Sequence, residues 1–357
     1  MRTCLKFRTG SSYTLVIEQA RMPPLDIDVV GIGNAIVDVM APANDAFLTH
    51  HGMTKGTMTL VDEDRASTIY AAMGSTVTAS GGSAANTIAG IAGLGGRTGF
   101  IGKIRDDELG AAFRHDIGTN GTVFRTAPAT SGAATARCLI LVTPDSQRTM
   151  NTFLGASGTL APEDVDAELV RSARIVYLEG YLYDAPSAQQ AFHAASEAAH
   201  VARRTVALTL SDPFCVQRHR AAFLDLIERH VDILFANHIE LLALFKTEDF
   251  DYALERIRAI VGIAAITLGA DGSAIVAGSE TIAVPAAPVD AIVDSTGAGD
   301  SYAAGFLFGM TRDASLYDCG RIGSVAASEI IGHFGARPQT DLRALAAQAL
   351  PDCTITF

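Results

Sequence analysis

From Arg174 onward the chain alternates short apolar, β-branched runs with helix-like segments, and this pattern constrains the fold more than any other feature. Strand-like Ile175–Leu178, Thr205–Leu210, Asp232–Phe235 and Ala264–Leu268 are separated by helical Ala185–Ala202, Ala221–Arg229, Ile239–Phe245 and Tyr252–Val261. Such alternation predicts an α/β fold with a mostly parallel sheet covered on both faces, and with ligand sites at the strand C-termini. Upstream, Asp26–Ile32 reads as a buried strand and Ala84–Leu94 as a core helix with Ser83 at its N-cap. Thr122–Thr126, Thr135–Val142 and Thr149–Phe153 are three successive β pieces, which predict a small separate sheet. With residues 41–62, this region (about 119–153) is expected to form a lid on one unit spanning 26–352. Residues 1–25 differ in character and read as an N-terminal extension.

Composition then narrows the function. A formal charge of −12 over 357 residues disfavours nucleic acid and anionic membranes as partners. Five dispersed cysteines without a C-x-x-C pair point to reduced thiols and a cytoplasmic protein. Mean hydropathy of +0.25 comes from short apolar runs, none near the ~18 residues of a transmembrane helix. No G-x-x-x-x-G-K-[ST] motif occurs, which excludes a P-loop enzyme. Gly31-x-Gly33 lacks the third glycine of a dinucleotide fingerprint, Ile36 standing in its place.

The most distinctive stretch is Asp294-Ser295-Thr296-Gly297-Ala298-Gly299-Asp300-Ser301. A β-prone run, Val289–Val293, leads into it and an apolar helix follows. A glycine turn at a helix N-terminus gathers unpaired N–H groups and partial positive charge, so it suits an anion. Asp300 inside that nest is either a general base, taking a proton from a hydroxyl that attacks a bound phosphoryl group, or an ordinary N-terminal helix acid. Other polar signals follow strand ends: Asn34 and Asp38, Gly81-Gly82 with Asn86, Arg148, and Thr267 with Gly269 and Gly272. Asn237 and Glu240, three apart at a helix start, are either a capping box or a water-mediated Mg²⁺ site.

The order of these motifs and the Asp-Ser-Thr-Gly-Ala-Gly-Asp signature resemble the ribokinase-like (PfkB) carbohydrate and nucleoside kinases over about residues 27–340. Leu208–Phe214, Val231–Asn237 and Gly31–Asp38 are more similar to its adenosine-kinase branch than to its ribokinases or fructokinases. The resemblance implies a three-layer ribokinase-like fold with a small β lid, ATP and Mg²⁺ as cofactors, and Asp300 as base. It implies an anion hole at Gly297, Ala298 and Gly299, with Arg148 steadying the phosphates. Asn34, Asp38, Gly81, Gly82, Asn86 and Phe214 are then the acceptor site, Phe214 stacking on a base. Asn237, Thr267, Gly269 and Gly272 border the nucleotide, with Asn237 and Glu240 organising the metal. The expected activity is phosphorylation of a purine nucleoside, most naturally adenosine, on its 5′-hydroxyl. A guanosine or inosine kinase, a sugar kinase, and a nucleoside-binding regulator without catalysis are the alternatives. The expected protein is a monomer or homodimer whose partners are a nucleoside and ATP.

Overall fold

In the computed structural model, residues 26–145, 147–353, 355 and 357 are described; the N-terminal extension read at 1–25 lies outside them. Their strands are β1 (Ile27–Ile32), β2 (Ile36–Pro42), β3 (Met58–Leu60), β4 (Val77–Gly81), β5 (Thr98–Ile101), β6 (Val123–Phe124) and β7 (Ala136–Val142). They continue as β8 (Arg148–Phe153), β9 (Ala173–Glu179), β10 (Thr205–Thr209), β11 (Ile233–Asn237), β12 (Ile263–Thr267), β13 (Ser273–Ala277) and β14 (Glu280–Val284). Nine form a large sheet in the order β14-β13-β12-β11-β10-β9-β1-β5-β6, parallel from β12 to β6. The remaining five form a second sheet, β3-β8-β7-β2-β4.

The large sheet is apolar on both faces because helices cover both. Val30, Ile32, Val176, Leu178 and Leu208 belong to one core, under helices Pro186–Val201 and Pro213–His230. Val29, Ile175, Tyr177 and Phe235 belong to the other, under Ser83–Gly93 and Ala298–Thr311. Successive residues alternate between the two cores, as the two-residue period of a strand requires. The helices Ala298–Thr311 and Leu316–Ile331 approach closely where Gly305 meets the Gly323 backbone; a Cβ at Gly305 comes within 2.6 Å of it.

Three sequence expectations change. Thr122–Thr126 does not join the small sheet: Val123 and Phe124 pair with β5 at the edge of the large one, while Phe124 packs on Phe100 and Phe113. The small sheet instead recruits β2 and β4, so the chain passes from β1 straight into the lid through residues 33–35. Val289–Val293 forms no strand. Its β-branched side chains lack a ladder neighbour; Ile292 is 70% exposed, and only the Val293 N–H meets Ile331 O (2.8 Å). β-propensity without a partner strand does not make one.

Candidate functional site

β1 pairs with β5 on one side and β9 on the other, and a chain that departs in both directions leaves a crevice at the strand C-termini. A cleft of about 1110 Å³ opens there, between the large sheet and the lid. It exceeds the ~300–1,000 Å³ of single-ligand pockets, so it has room for two ligands side by side. Asn34, Asp38, Gly82, Asn86, Arg148, Phe214, Asn237, Glu240, Thr267, Gly297, Gly299 and Asp300 all border it.

Asp300 is the third residue of the helix Ala298–Thr311, whose N-cap is Gly297 at φ 80°. Ser83 Oγ donates to Asp300 Oδ1 (2.6 Å) and Asn86 Nδ2 to Oδ2 (3.0 Å). Burial raises the Asp300 pKa, which those two hydrogen bonds and the charge of Arg337 partly offset. The result is a desolvated carboxylate more basic than an exposed one, as a general base requires. Ser83 is not the helix N-cap expected from sequence. Gly82 takes that place at φ 99°, which frees the Ser83 hydroxyl for Asp300. Asn86 Oδ1 is buried and without a partner, an acceptor available to a ligand hydroxyl.

Asp38 lies on β2, and its carboxyl group occupies the space a side chain at Gly81 would fill. Burial lifts its pKa to about 6, against the pull of Arg337 and Arg148 and with a push from Asp300. Asn34 is oriented by Glu179 at the end of β9, which accepts from its N–H (3.3 Å) and Nδ2 (2.6 Å) and from Ala84 N–H (2.8 Å). Burial pushes Glu179 up to about 7, and Ser157 Oγ donates to Asn34 Oδ1 (2.8 Å). Glu179 was missed in the sequence although it carries the signal that singled out Asn34, a polar residue closing a buried apolar strand.

These raised pKa values have a consequence for stability. A carboxyl group with folded pKa above its unfolded value contributes stability below the unfolded pKa and loses it as pH rises through the folded one. Asp38→Asn removes that loss. The midpoint gain of Asp38→Asn over the wild type is therefore expected to grow from about pH 4, near the unfolded pKa, to about pH 6, the folded one, and to level off above it, in thermal melts of ligand-free protein. A gain independent of pH counts against a desolvated, ionising Asp38.

On the other side of the cleft, Asn237 caps the helix His238–Phe245 in a reciprocal box. Glu240 N–H donates to Asn237 Oδ1 (2.8 Å), while Asn237 N–H (2.9 Å) and Nδ2 (2.7 Å) donate to the Glu240 carboxylate. Burial raises Glu240 to about 7, and Asp212 and Asp300 add to the rise. Among the described residues no group of three or more His, Cys, Asp or Glu side chains could hold a metal alone. Accumulated carboxylate charge without a closed ligand set fits a Mg²⁺ that keeps its waters and is held chiefly by phosphate. Thr267 ends β12 in the cleft. Gly269 and Gly272 do not border it: Gly272, at φ 87°, leaves room for the backbone of Val284–Ala286.

The glycine turn also departs from expectation. Ala298 N–H donates to Ser295 O (3.2 Å) and the residue does not border the cleft, unlike Gly297, Gly299 and Asp300. Arg148, expected at a phosphate, forms a buried ion pair with Asp294 (2.8 Å) over the Phe334 ring (5.4 Å), and its Nε has no partner. Asp294 also accepts from Thr296 N–H (3.0 Å) and Gly335 N–H (3.2 Å), so the lid strand β8 is clasped to the turn. Phe214 stands 66% exposed at the cleft rim, in the first turn of its helix, where Asp212 caps its N–H (2.7 Å). Ile36, Cys138, Ile140, Met150 and Leu154 give the lid's cleft side an apolar surface.

The model of the pfkB family of carbohydrate kinases matches residues 56–342. An adenosine kinase from Sinorhizobium meliloti is 49% identical and superimposes with a TM-score of 0.84, covering 90% of this chain and 99% of that one. A probable sugar kinase protein from Rhizobium etli CFN 42 is 47% identical with the same TM-score, covering 90% and 98%. The ATP-dependent ribose-1-phosphate kinase of Halopiger xanaduensis is 30% identical across 75% of this chain and 85% of its own.

Proposed function

The chain belongs to the pfkB family of carbohydrate kinases, and on that premise we propose that it transfers the γ-phosphoryl group of ATP to the 5′-hydroxyl of a purine nucleoside, adenosine first. One observation carries the reading: a half-buried carboxylate, Asp300, sits at a helix N-terminus in a cleft with room for two ligands. Asp38 and Asn86 Oδ1 hold the ribose hydroxyls, and Asp300 takes the proton of the 5′-hydroxyl as its oxygen bonds phosphorus. The bond from phosphorus to the ADP oxygen breaks, and ADP carries away the electron pair. The N-terminus of the helix Ala298–Thr311 meets the charge on the transferred group. Glu240 and Asn237 are the residues that would hold a nucleotide-bound Mg²⁺ through water, where it would neutralise phosphate charge.

The base is assigned to the apolar lid surface and Phe214. This is supported by the 49% identity to a protein named adenosine kinase and by the aromatic ring at the rim. Phe214→Ala is expected to raise the nucleoside KM about 2–10-fold, the worth of one stacked pair, while leaving any free-sugar KM unchanged. Steady-state kinetics with both acceptors checks this; equal effects on both overturn the stacking role. Sugar phosphorylation is the second reading, favoured by the exposure of Phe214 and by the 47% identity to a protein named a probable sugar kinase.

A further inference from the structure

The segment 334–339 carries no motif, yet all six of its residues border the cleft. It is tied to the glycine turn twice: Gly335 N–H donates to Asp294, and Ala336 packs so closely on Gly297 that a Cβ there comes within 2.6 Å of the Ala336 Cβ. From this segment Arg337 reaches the lid. Its Nε (3.1 Å) and Nη2 (2.8 Å) donate to Ser80 O, and Nη2 donates also to Ser80 Oγ (2.8 Å). Ser80 N–H is held by Asp116 Oδ2 (2.7 Å). Ser80 lies on β4 opposite Val37, beside the Asp38–Ala79 pair, and immediately before Gly81-Gly82. One guanidinium thus bridges the lid strand facing Asp38 and the turn that carries Asp300.

We propose that Arg337 is a positioning residue for phosphoryl transfer, fastening β4 to the glycine turn and keeping Asp38 and Asp300 charged for the acceptor hydroxyls. The proposal rests on the kinase reading above. Its electrostatic part follows from what surrounds the two carboxyl groups. Asp300 is faced by Ser83 and Asn86, by the carboxyl groups of Asp38, Glu179 and Glu240, and by the phenols of Tyr177 and Tyr181. Arg337 is the cation that acts on it. Asp38 is faced by Arg337, Arg148, Asp300 and the Cys138 thiol. Arg148 is already engaged by Asp294. Burial disfavours the charge of Arg337 itself, and Asp116, Asp38 and Asp300 partly offset this. Arg337 therefore favours the charged forms of Asp38 and Asp300, against burial and against the push of Asp300 on Asp38.

The test uses the full chain and two readouts. Carboxyl ¹³C titration of aspartate-labelled protein, assigned with Asp38→Asn and Asp300→Asn, follows both groups without turnover; pH–rate profiles follow transfer. In Arg337→Met both carboxyl groups are expected to titrate at least one pH unit higher. The acid limb of kcat/KM should shift the same way, and acceptor KM at pH 7 should rise about tenfold. Arg337→Lys, which keeps the charge but not the fork, should leave both titrations in place. A fall in thermal stability with unmoved titrations and an unmoved acid limb overturns the proposal. If Arg337→Met gives no folded protein, Arg337→Gln is judged by the same criteria. A wild type that transfers phosphate to no acceptor overturns the kinase reading and the transfer role together, while the titrations still decide separately whether Arg337 holds the two charges.

Discussion

Asp300→Asn is expected to lower turnover by about 10²–10⁴-fold, the usual worth of a general base, with acceptor affinity held within a few-fold. The amide has nearly the same shape and keeps one acceptor oxygen. The Ser83 hydroxyl, now 2.6 Å from Oδ1, can rotate from donor to acceptor and satisfy the new N–H. Removing a desolvated charge leaves stability unchanged or raised, because desolvation already opposes ionisation of this group. Turnover, binding and melting measured on one preparation separate the outcomes. Lost activity together with a lowered midpoint indicates a damaged fold, and near-normal turnover removes Asp300 from the mechanism.

Gly82→Ala is the second large effect. At φ 99° and ψ 139° the backbone lies where side chains other than glycine's are strained by about 1–3 kcal/mol. A Cβ there also runs into the Asn34 carbonyl oxygen. Relief requires the start of the helix Ser83–Gly93 to move away from the end of β1. That motion separates Ser83 and Asn86, which hold Asp300, from Asn34. Displacement of about 1 Å in such a set costs on the order of 10²-fold in rate. The variant should therefore have both a lowered denaturation midpoint and a kcat/KM reduced by about that factor. A stable variant with unchanged kinetics shows that this corner does not set the geometry.

The sequence made the centre of the large sheet legible because β9, β10, β11 and β12 are mostly buried apolar runs separated by helical stretches, a pattern set by burial on both faces. The lid was harder to read. β2 begins two residues after Asn34 and looks like the tail of a ligand turn, while β4 contains Thr, Ser and Gly rather than apolar alternation. Both pair only with distant strands, a contact that local pattern does not encode. Within the cleft, Asp300, Asp38 and Asn34 were legible because polar residues at the ends of apolar strands, or inside glycine turns, stand out. Asn237 and Glu240 have the capping geometry that was one of their two readings. Arg337 and Asp294 act through tertiary bridges to Ser80 and Arg148, from segments without periodicity, and nothing in their neighbourhood along the chain announces the partner.

The most direct test of the account is product identification after incubation with ATP, Mg²⁺ and, separately, adenosine, guanosine, inosine, cytidine, ribose and fructose, with ³¹P NMR locating the transferred group. The expected product is a 5′-monophosphate of a purine nucleoside, adenosine foremost, formed with one equivalent of ADP. Phosphate carried only onto a free sugar, or onto none of these acceptors, contradicts it.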